Sequence, residues 1–209
     1  MSATNRKTKT TDTGDEFYPT PRPVIGALLE SPAGTILPGG TWIEPCAGTG
    51  RIIATVNSYR DDVDWVVCEL HDQFEPFLRP LIREGRDKLT KFGDFVHRPW
   101  QHGLADVLIM NPPFSLTMDF VLAAMRRARW VVCLQRQGWF GTKGRSPWLA
   151  EHCPDIRQLP ERPSFRPDGS TDNCEYCWFI WPPGTMQHKR LEGVVSMLVM
   201  PDGGQQSLF

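Results

Sequence analysis

Short apolar runs alternate with segments of helical spacing along most of the chain. Gly40–Glu44 (GTWIE), Asp64–Cys68 (DWVVC), Leu104–Met110 (LADVLIM) and Trp130–Leu134 (WVVCL) are continuous, partly β-branched and too short for helices. They read as strands, the last two buried on both faces. Leu89–Phe95 reads as a further short strand ending in Asp94. Between the strands, Pro23–Leu29, Arg51–Val56, Phe74–Ile82 and Met118–Arg127 have helical spacing, the third interrupted by Pro76 and Pro80. Strand–helix–strand repetition predicts a doubly wound α/β domain with a mostly parallel sheet and helices on both faces. Gln135–Ser146 is polar and Gly-rich, and with Trp139 and Phe140 it is expected to loop over the site rather than enter the core. Trp148–Cys153 reads as a short helix, and Asp155–Leu159 with Cys174–Trp181 as a closing strand pair. Residues 1–16 are polar and expected to be disordered, 17–200 to form the domain, and 201–209 to form a flexible tail.

Composition narrows the class. The chain has 209 residues, 40% hydrophobic, with a formal net charge of −1, which suits one soluble globular domain with a real core. No run approaches the roughly 18 apolar residues of a membrane span, and the polar N-terminus does not read as a signal peptide. Six scattered cysteines in a chain of this size predict reduced thiols and a cytoplasmic location. Cys174 and Cys177 form a C-x-x-C, but residues three apart on a strand face opposite ways and no second ligand pair accompanies them, so no metal is expected. Between Arg126 and Arg166 nine Lys/Arg face three acids. Converging, they would make a phosphate-binding rim containing Lys143, Arg145, Arg162 and Arg166; dispersed, they would only solvate a surface.

Candidate chemistry gathers at strand ends. Two prolines stop the run Leu104–Met110, because neither offers an N–H to the ladder. The resulting corner, Asn111-Pro112-Pro113-Phe114, carries an amide side chain, a free carbonyl and an aromatic face. Those groups suit a planar ring bearing an NH2. Glu44-Pro45-Cys46-Ala47-Gly48-Thr49-Gly50 is a Gly-rich turn between strand and helix, where Gly48 and Gly50 permit close approach and a helix N-terminus favours an anionic group. Glu69, at the tip of the next strand, is placed to grip a ribose diol, or is an ordinary strand-end carboxylate. Asp94 is placed to accept from an adenine amino group with Phe95 against the ring, or to cap a loop. Ligands of parallel sheets bind at these carboxyl ends.

With Asn111-Pro112-Pro113-Phe114 and the Gly-rich turn in hand, the chain resembles the S-adenosylmethionine-dependent amino-methyltransferases, most closely the DNA adenine-N6 type. The resemblance runs from Phe17 to Trp181, and Arg162–Trp181 also looks like small phage and prophage enzymes of this kind. It implies the seven-stranded class I methyltransferase sheet, S-adenosylmethionine as cofactor, and DNA as partner. Tyr18-Pro19-Thr20-Pro21 looks like that family's methionine-end motif in gamma-class order, so Tyr18, Thr20 and Pro21 join Glu44, Pro45, Cys46, Gly48, Gly50, Glu69, Asp94, Phe95 and Asn111 as expected cofactor residues. Asn111 Oδ1 and the Pro112 carbonyl would accept the two N–H bonds of the target amine, with the base flipped out of the duplex. Phe114 would stack on one face of the base and Phe165, between Arg162 and Arg166, on the other, unless Phe165 packs under the sheet edge. The chain leaves no room for a separate target-recognition domain, which argues against strong sequence specificity.

Alternative readings are an RNA adenine-N6 methyltransferase, a glutamine-methylating enzyme, and a non-catalytic nucleic-acid or clamp-binding module derived from a methyltransferase. The chain passes through Pro201-Asp202-Gly203-Gly204, a flexible tether, and ends Gln205-Gln206-Ser207-Leu208-Phe209. Gln205, Leu208 and Phe209 resemble the peptide by which bacterial replication and repair proteins bind the sliding clamp. A frayed terminus tucked onto the core is the other reading.

Overall fold

A computed structural model describes residues 18–89, 93–166, 168–186 and 188–201. The expected tail 1–16, Phe17 and the candidate peptide residues Gln205, Leu208 and Phe209 lie outside the described residues. The strands are β1 (Gly40–Glu44), β2 (Val63–Val67), β3 (Lys88–Leu89), β4 (Ala105–Met110), β5 (Ala128–Arg136), β6 (Asp155–Gln158), β7 (Tyr176–Trp181) and β8 (Val195–Met197). The helices are α1 (Arg22–Leu29), α2 (Pro32–Thr35), α3 (Arg51–Tyr59), α4 (Glu75–Leu78), α5 (Thr117–Ala124) and α6 (Ser146–Glu151).

All eight strands join one sheet in the order β3-β2-β1-β4-β5-β7-β6-β8. β7 alone runs antiparallel to its neighbours, β5 and β6. The expected seven strands thus carry an eighth, short edge strand, β8, parallel to β6. Its Val195 and Met197 are exposed.

Alternation along the strands explains the layers. Trp42, Trp65, Val107, Ile109, Val132, Leu134, Trp178 and Ile180 face one side, where they pack with α1, α3 and Leu78 of α4. Ile43, Val66, Leu108, Met110, Val131, Cys133, Phe179 and Trp181 face the other, against α5 and α6. Because successive strand residues point to opposite faces and both faces are covered by helices, residues 107–110 are apolar at every position, and Asp106 before them accepts from the Thr41 N–H of the neighbouring strand. Cys177 belongs to the second layer, where its thiol donates to Gln158 Oε1, whereas Cys174 packs against the first. All six cysteines are present as thiols.

Several expected elements shift. Among the described residues β3 pairs with β2 at Lys88 and Leu89, and Asp94 and Phe95 stand in a loop rather than in a strand. The segment Phe74–Ile82 divides into a 3-10 turn, the single turn α4 and another 3-10 turn, as Pro76 and Pro80 dictate by withholding N–H groups. β5 extends through Gln135 and Arg136 because β7 pairs along it up to Arg136↔Tyr176. Trp139 is not a lid residue: it is 7% exposed and packs edge-on against Phe179 and Trp181, with Phe140 stacked on Phe179. Its large apolar area outweighs the polarity of the surrounding segment.

Candidate active site

Parallel pairing brings the strand tips to one edge: Glu44 lies opposite Val67, and Met110 opposite Cys133. A cavity of about 250 Å³ opens there. Its wall contains Tyr18, Thr20, Glu44, Pro45, Cys46, Gly48, Glu69, Asp94, Phe95 and Asn111 together. Pro113 also lines it, whereas Pro21, Gly50, Pro112 and Phe114 do not. His71, which the sequence places beside Glu69 as a possible ligand contact or a surface residue, is in the wall, and Arg51, Phe74, Leu116, Asp119 and Phe120 join it without having been singled out from the sequence. The signal for Arg51 was adjacency to the glycine turn; for Leu116, Asp119 and Phe120 it was adjacency to the Pro-Pro corner.

Gly50 holds the turn between β1 and α3 at φ +74°, and a Cβ there would lie 2.4 Å from the Leu81 side chain. Both the left-handed backbone and the close approach require glycine. Gly48, at φ +51°, donates its N–H to Glu69 Oε2 at 2.6 Å. Glu69 Oε1 accepts from the N–H groups of Leu70 and His71 at 2.8 and 3.0 Å. Glu69 therefore ties the glycine turn to the tip of β2 while facing the cavity.

Glu44 is 2% exposed, and its Oε2 has no partner among the described residues. Burial pushes its carboxyl well above the ordinary value of 4.5; the neighbouring Glu69 adds to this, while a hydrogen bond from the Ile53 N–H opposes it. Burial likewise pushes the Cys46 thiol up, with Glu44 and Glu69 contributing. A buried acid with an unused oxygen on a cavity wall is a receptor for a cation or a donor.

The Asn111 amide has a defined orientation. Its Nδ2 donates to the Tyr18 carbonyl at 2.9 Å and to Thr20 Oγ1 at 3.0 Å. A backbone carbonyl only accepts, so the NH2 must be the group on that side. Oδ1 is consequently the group left over, and it is buried without a partner among the described residues. The Pro113 carbonyl is already engaged by the Leu116 N–H and Thr117 Oγ1. Thr117 Oγ1 in turn accepts from the buried Gln135, so α5 and β5 hold the corner rigid.

Asp94 Oδ1 accepts from the Val96 and His97 N–H groups, and its Oδ2 pairs with the His97 ring. Burial works against ionisation there, but these hydrogen bonds outweigh it and leave the carboxyl below its usual range. Phe95 is not free to sandwich a ring, because it stacks on Phe120 and lies 4.4 Å beneath the Arg127 guanidinium. Arg127, 7% exposed, donates to the carbonyls of Phe95, Val96 and Arg98, which pins the loop that carries Asp94.

The expected base sandwich is rearranged. Phe114 stacks on Tyr18 with centroids 5.2 Å apart, and the Arg136 guanidinium lies 4.5 Å from its ring. Phe165 contacts Tyr18 and Tyr176 and packs against the first core layer, as the alternative reading had it. The basic run does not converge as a whole. Arg126 and Arg129 flank the first residue of β5, at the edge opposite the cavity, Arg127 is spent on the loop that carries Asp94, and Arg157 bonds the Val194 carbonyl. Arg162 pairs with Glu175 at 2.6 Å, Arg166 bonds Ser170, Lys143 is exposed, and Arg145 lies over Trp139.

No family model matches the sequence, and no curated protein matches it. Solved structures do match. A protein from Listeria monocytogenes assigned as a class I S-adenosylmethionine-dependent methyltransferase is 16% identical, with a TM-score of 0.62 over 86% of this chain and 65% of that one. This chain therefore spans less than two thirds of that protein. A protein from Pyrococcus horikoshii assigned as an RNA methyltransferase is 17% identical, with a TM-score of 0.57 over 84% and 91% of the two chains. A dimethyladenosine transferase from Plasmodium falciparum is 9% identical, with a TM-score of 0.58 over 82% and 66%. With the sheet order and the strand-tip cavity, these likenesses establish that the chain has the class I methyltransferase fold.

Proposed function

We propose that the protein is an S-adenosylmethionine-dependent methyltransferase acting on the exocyclic N6 amine of adenine in DNA. The observation that carries the reading is Asn111: its NH2 is held by two acceptors, which leaves Oδ1 buried, unpaired and available to an incoming N–H.

The cofactor is S-adenosylmethionine, and the cavity residues fit it. The unpaired Glu44 Oε2 suits the cationic end, while Arg51 and the first turn of α3 suit the carboxylate. Glu69 suits the ribose hydroxyls and Asp94 the adenine amine. When bound, the cofactor supplies an electrophilic methyl group. The chain's own part is orientation. An adenine amine has its lone pair delocalised into the ring and is a poor nucleophile. Asn111 Oδ1 accepts one of its N–H bonds and the Pro112 carbonyl the other, drawing the nitrogen toward a tetrahedral geometry. A neutral amide suffices, because it positions the amine without acting as a strong base. The Tyr18–Phe114 stack forms the aromatic wall beside this corner.

Adenine is supported by the name of the dimethyladenosine neighbour and by the acceptor geometry. DNA rests on the sequence resemblance. The test is transfer of labelled methyl to duplex DNA, single-stranded DNA, RNA and a glutamine-bearing protein, followed by nucleoside and amino-acid analysis. N6-methyladenosine formed only in RNA would replace the DNA assignment. Label on glutamine, or no transfer at all, would overturn the reading.

A further inference from the structure

Beyond Phe114, on the side away from the cofactor cavity, lies a second groove of about 560 Å³. Phe114, Arg136, Gln137, Arg145, Asn173 and Glu175 line it. Its floor is rigid, because β5 and the segment entering β7 meet there and the Gln137 N–H donates to the Glu175 carbonyl at 2.9 Å. Arg136 is fixed above Phe114 by Tyr176 Oη at 3.3 Å and Asp172 Oδ2 at 3.1 Å, through Nε and Nη2. Its Nη1 makes no hydrogen bond among the described residues. Arg145 has no acidic partner among them, whereas Glu175 is paired with Arg162. Gln137 and Asn173 are exposed, and their side-chain amides make no bond among the described residues.

We infer that this groove takes the nucleotide adjacent to the methylated one, and that Gln137 and Asn173 determine sequence context there. The inference deepens the proposed function and rests on it. The chemistry divides in two. A guanidinium held by Asp172 and Tyr176, beside a second one that bonds the Trp139 carbonyl and has no acidic partner among the described residues, suits a backbone phosphate. Paired side-chain amides, each offering a donor and an acceptor, suit the edge of a base, and a bidentate amide contact favours adenine. Phe114 lines this groove and stacks on Tyr18, whose carbonyl holds the Asn111 amide, so the groove adjoins the Asn111 corner and neighbouring nucleotides of one strand reach both. Recognition is thus built into the catalytic domain.

Short DNA duplexes with one adenine in every combination of nearest neighbours are assayed for initial methylation rate. The wild-type protein should favour one neighbouring base by about tenfold or more. Gln137→Ala and Asn173→Ala should each lower the rate in that context by about tenfold and leave the other contexts unchanged. Gln137→Glu, which can only accept, should move the preference from adenine toward cytosine, whose amine is a donor without a neighbouring acceptor. Both amides are exposed, so folding should be unaffected, which melting temperature checks. Equal wild-type rates in every context, or variants with the wild-type profile, overturn the assignment. Failure of the wild-type protein to methylate any nucleic acid removes the function on which the subsite rests, and the subsite with it.

Discussion

Glu44→Gln tests whether the cavity is built for a cation. Glu44 is 2% exposed, has one unpaired oxygen, and is held well above its ordinary value of 4.5, first by burial and then by Glu69. The sign follows from linkage: a carboxyl whose folded value is raised costs nothing below its unfolded value, and the cost grows as pH rises until the folded value is reached. Each pH unit above 4.5 contributes about 1.4 kcal/mol until then, so the cost at pH 7 is capped at about 3 kcal/mol. Glutamine keeps the acceptor for the Ile53 N–H and cannot ionise, so the variant escapes that cost. For a chain of this size 1 kcal/mol moves Tm by roughly 2–4 °C. Without cofactor, Glu44→Gln should therefore melt close to wild type at pH 4.5–5 and up to about 6–12 °C higher at pH 7. Saturating S-adenosylmethionine should narrow or reverse the difference, because the wild-type carboxylate then faces a positive charge. Cofactor affinity of the variant should fall by about tenfold or more, the scale of a charge-assisted hydrogen bond. Differential scanning at several pH values and calorimetry measure both quantities. A Tm difference that stays flat with pH, or unchanged cofactor affinity, refutes the reasoning.

Asn111→Ala should lower kcat by at least about a hundredfold, the scale of a lost preorganised polar group, while changing cofactor affinity much less; equal losses in both would move Asn111 to the cofactor. Glu69→Gln places an amide N–H against the Gly48 N–H and should weaken cofactor binding by about 1–3 kcal/mol, read by calorimetry. Arg127→Met removes the donor from the buried Phe95 carbonyl and the part-buried Val96 and Arg98 carbonyls, and should lower both Tm and cofactor affinity through the Asp94 loop; a drop in Tm with affinity intact would confine Arg127 to folding. The C-terminal peptide remains our proposal for a clamp contact, and Leu208→Ala with Phe209→Ala should abolish binding to bacterial sliding clamp in a titration, while equal binding by both proteins would reject it.

The alternation of buried runs with helical segments was sufficient for the fold class, because parallel strands covered on both faces must be apolar throughout. The strand-end acids and the Asn-Pro-Pro corner were legible for a related reason: in such a sheet every strand tip reaches the same edge, so Glu44, Glu69 and Asn111 had to converge. Gly48 and Gly50 announced the turn, since its left-handed backbone favours glycine and a Cβ at Gly50 would meet Leu81. What no local pattern carried was which partner each group takes. The orientation of the Asn111 amide depends on Tyr18 and Thr20, some ninety positions earlier. The placement of Trp139 in the core depends on Phe179 and Trp181, which arrive only when β7 pairs with β5. The basic run from Arg126 to Arg166 is continuous in sequence, but it begins at one edge of the sheet and crosses to the other along β5, so tertiary structure alone decided which charges meet the site. The same crossing built the groove beyond Phe114, because Gln137 and Asn173 become neighbours only through the long-range pairing of two strands.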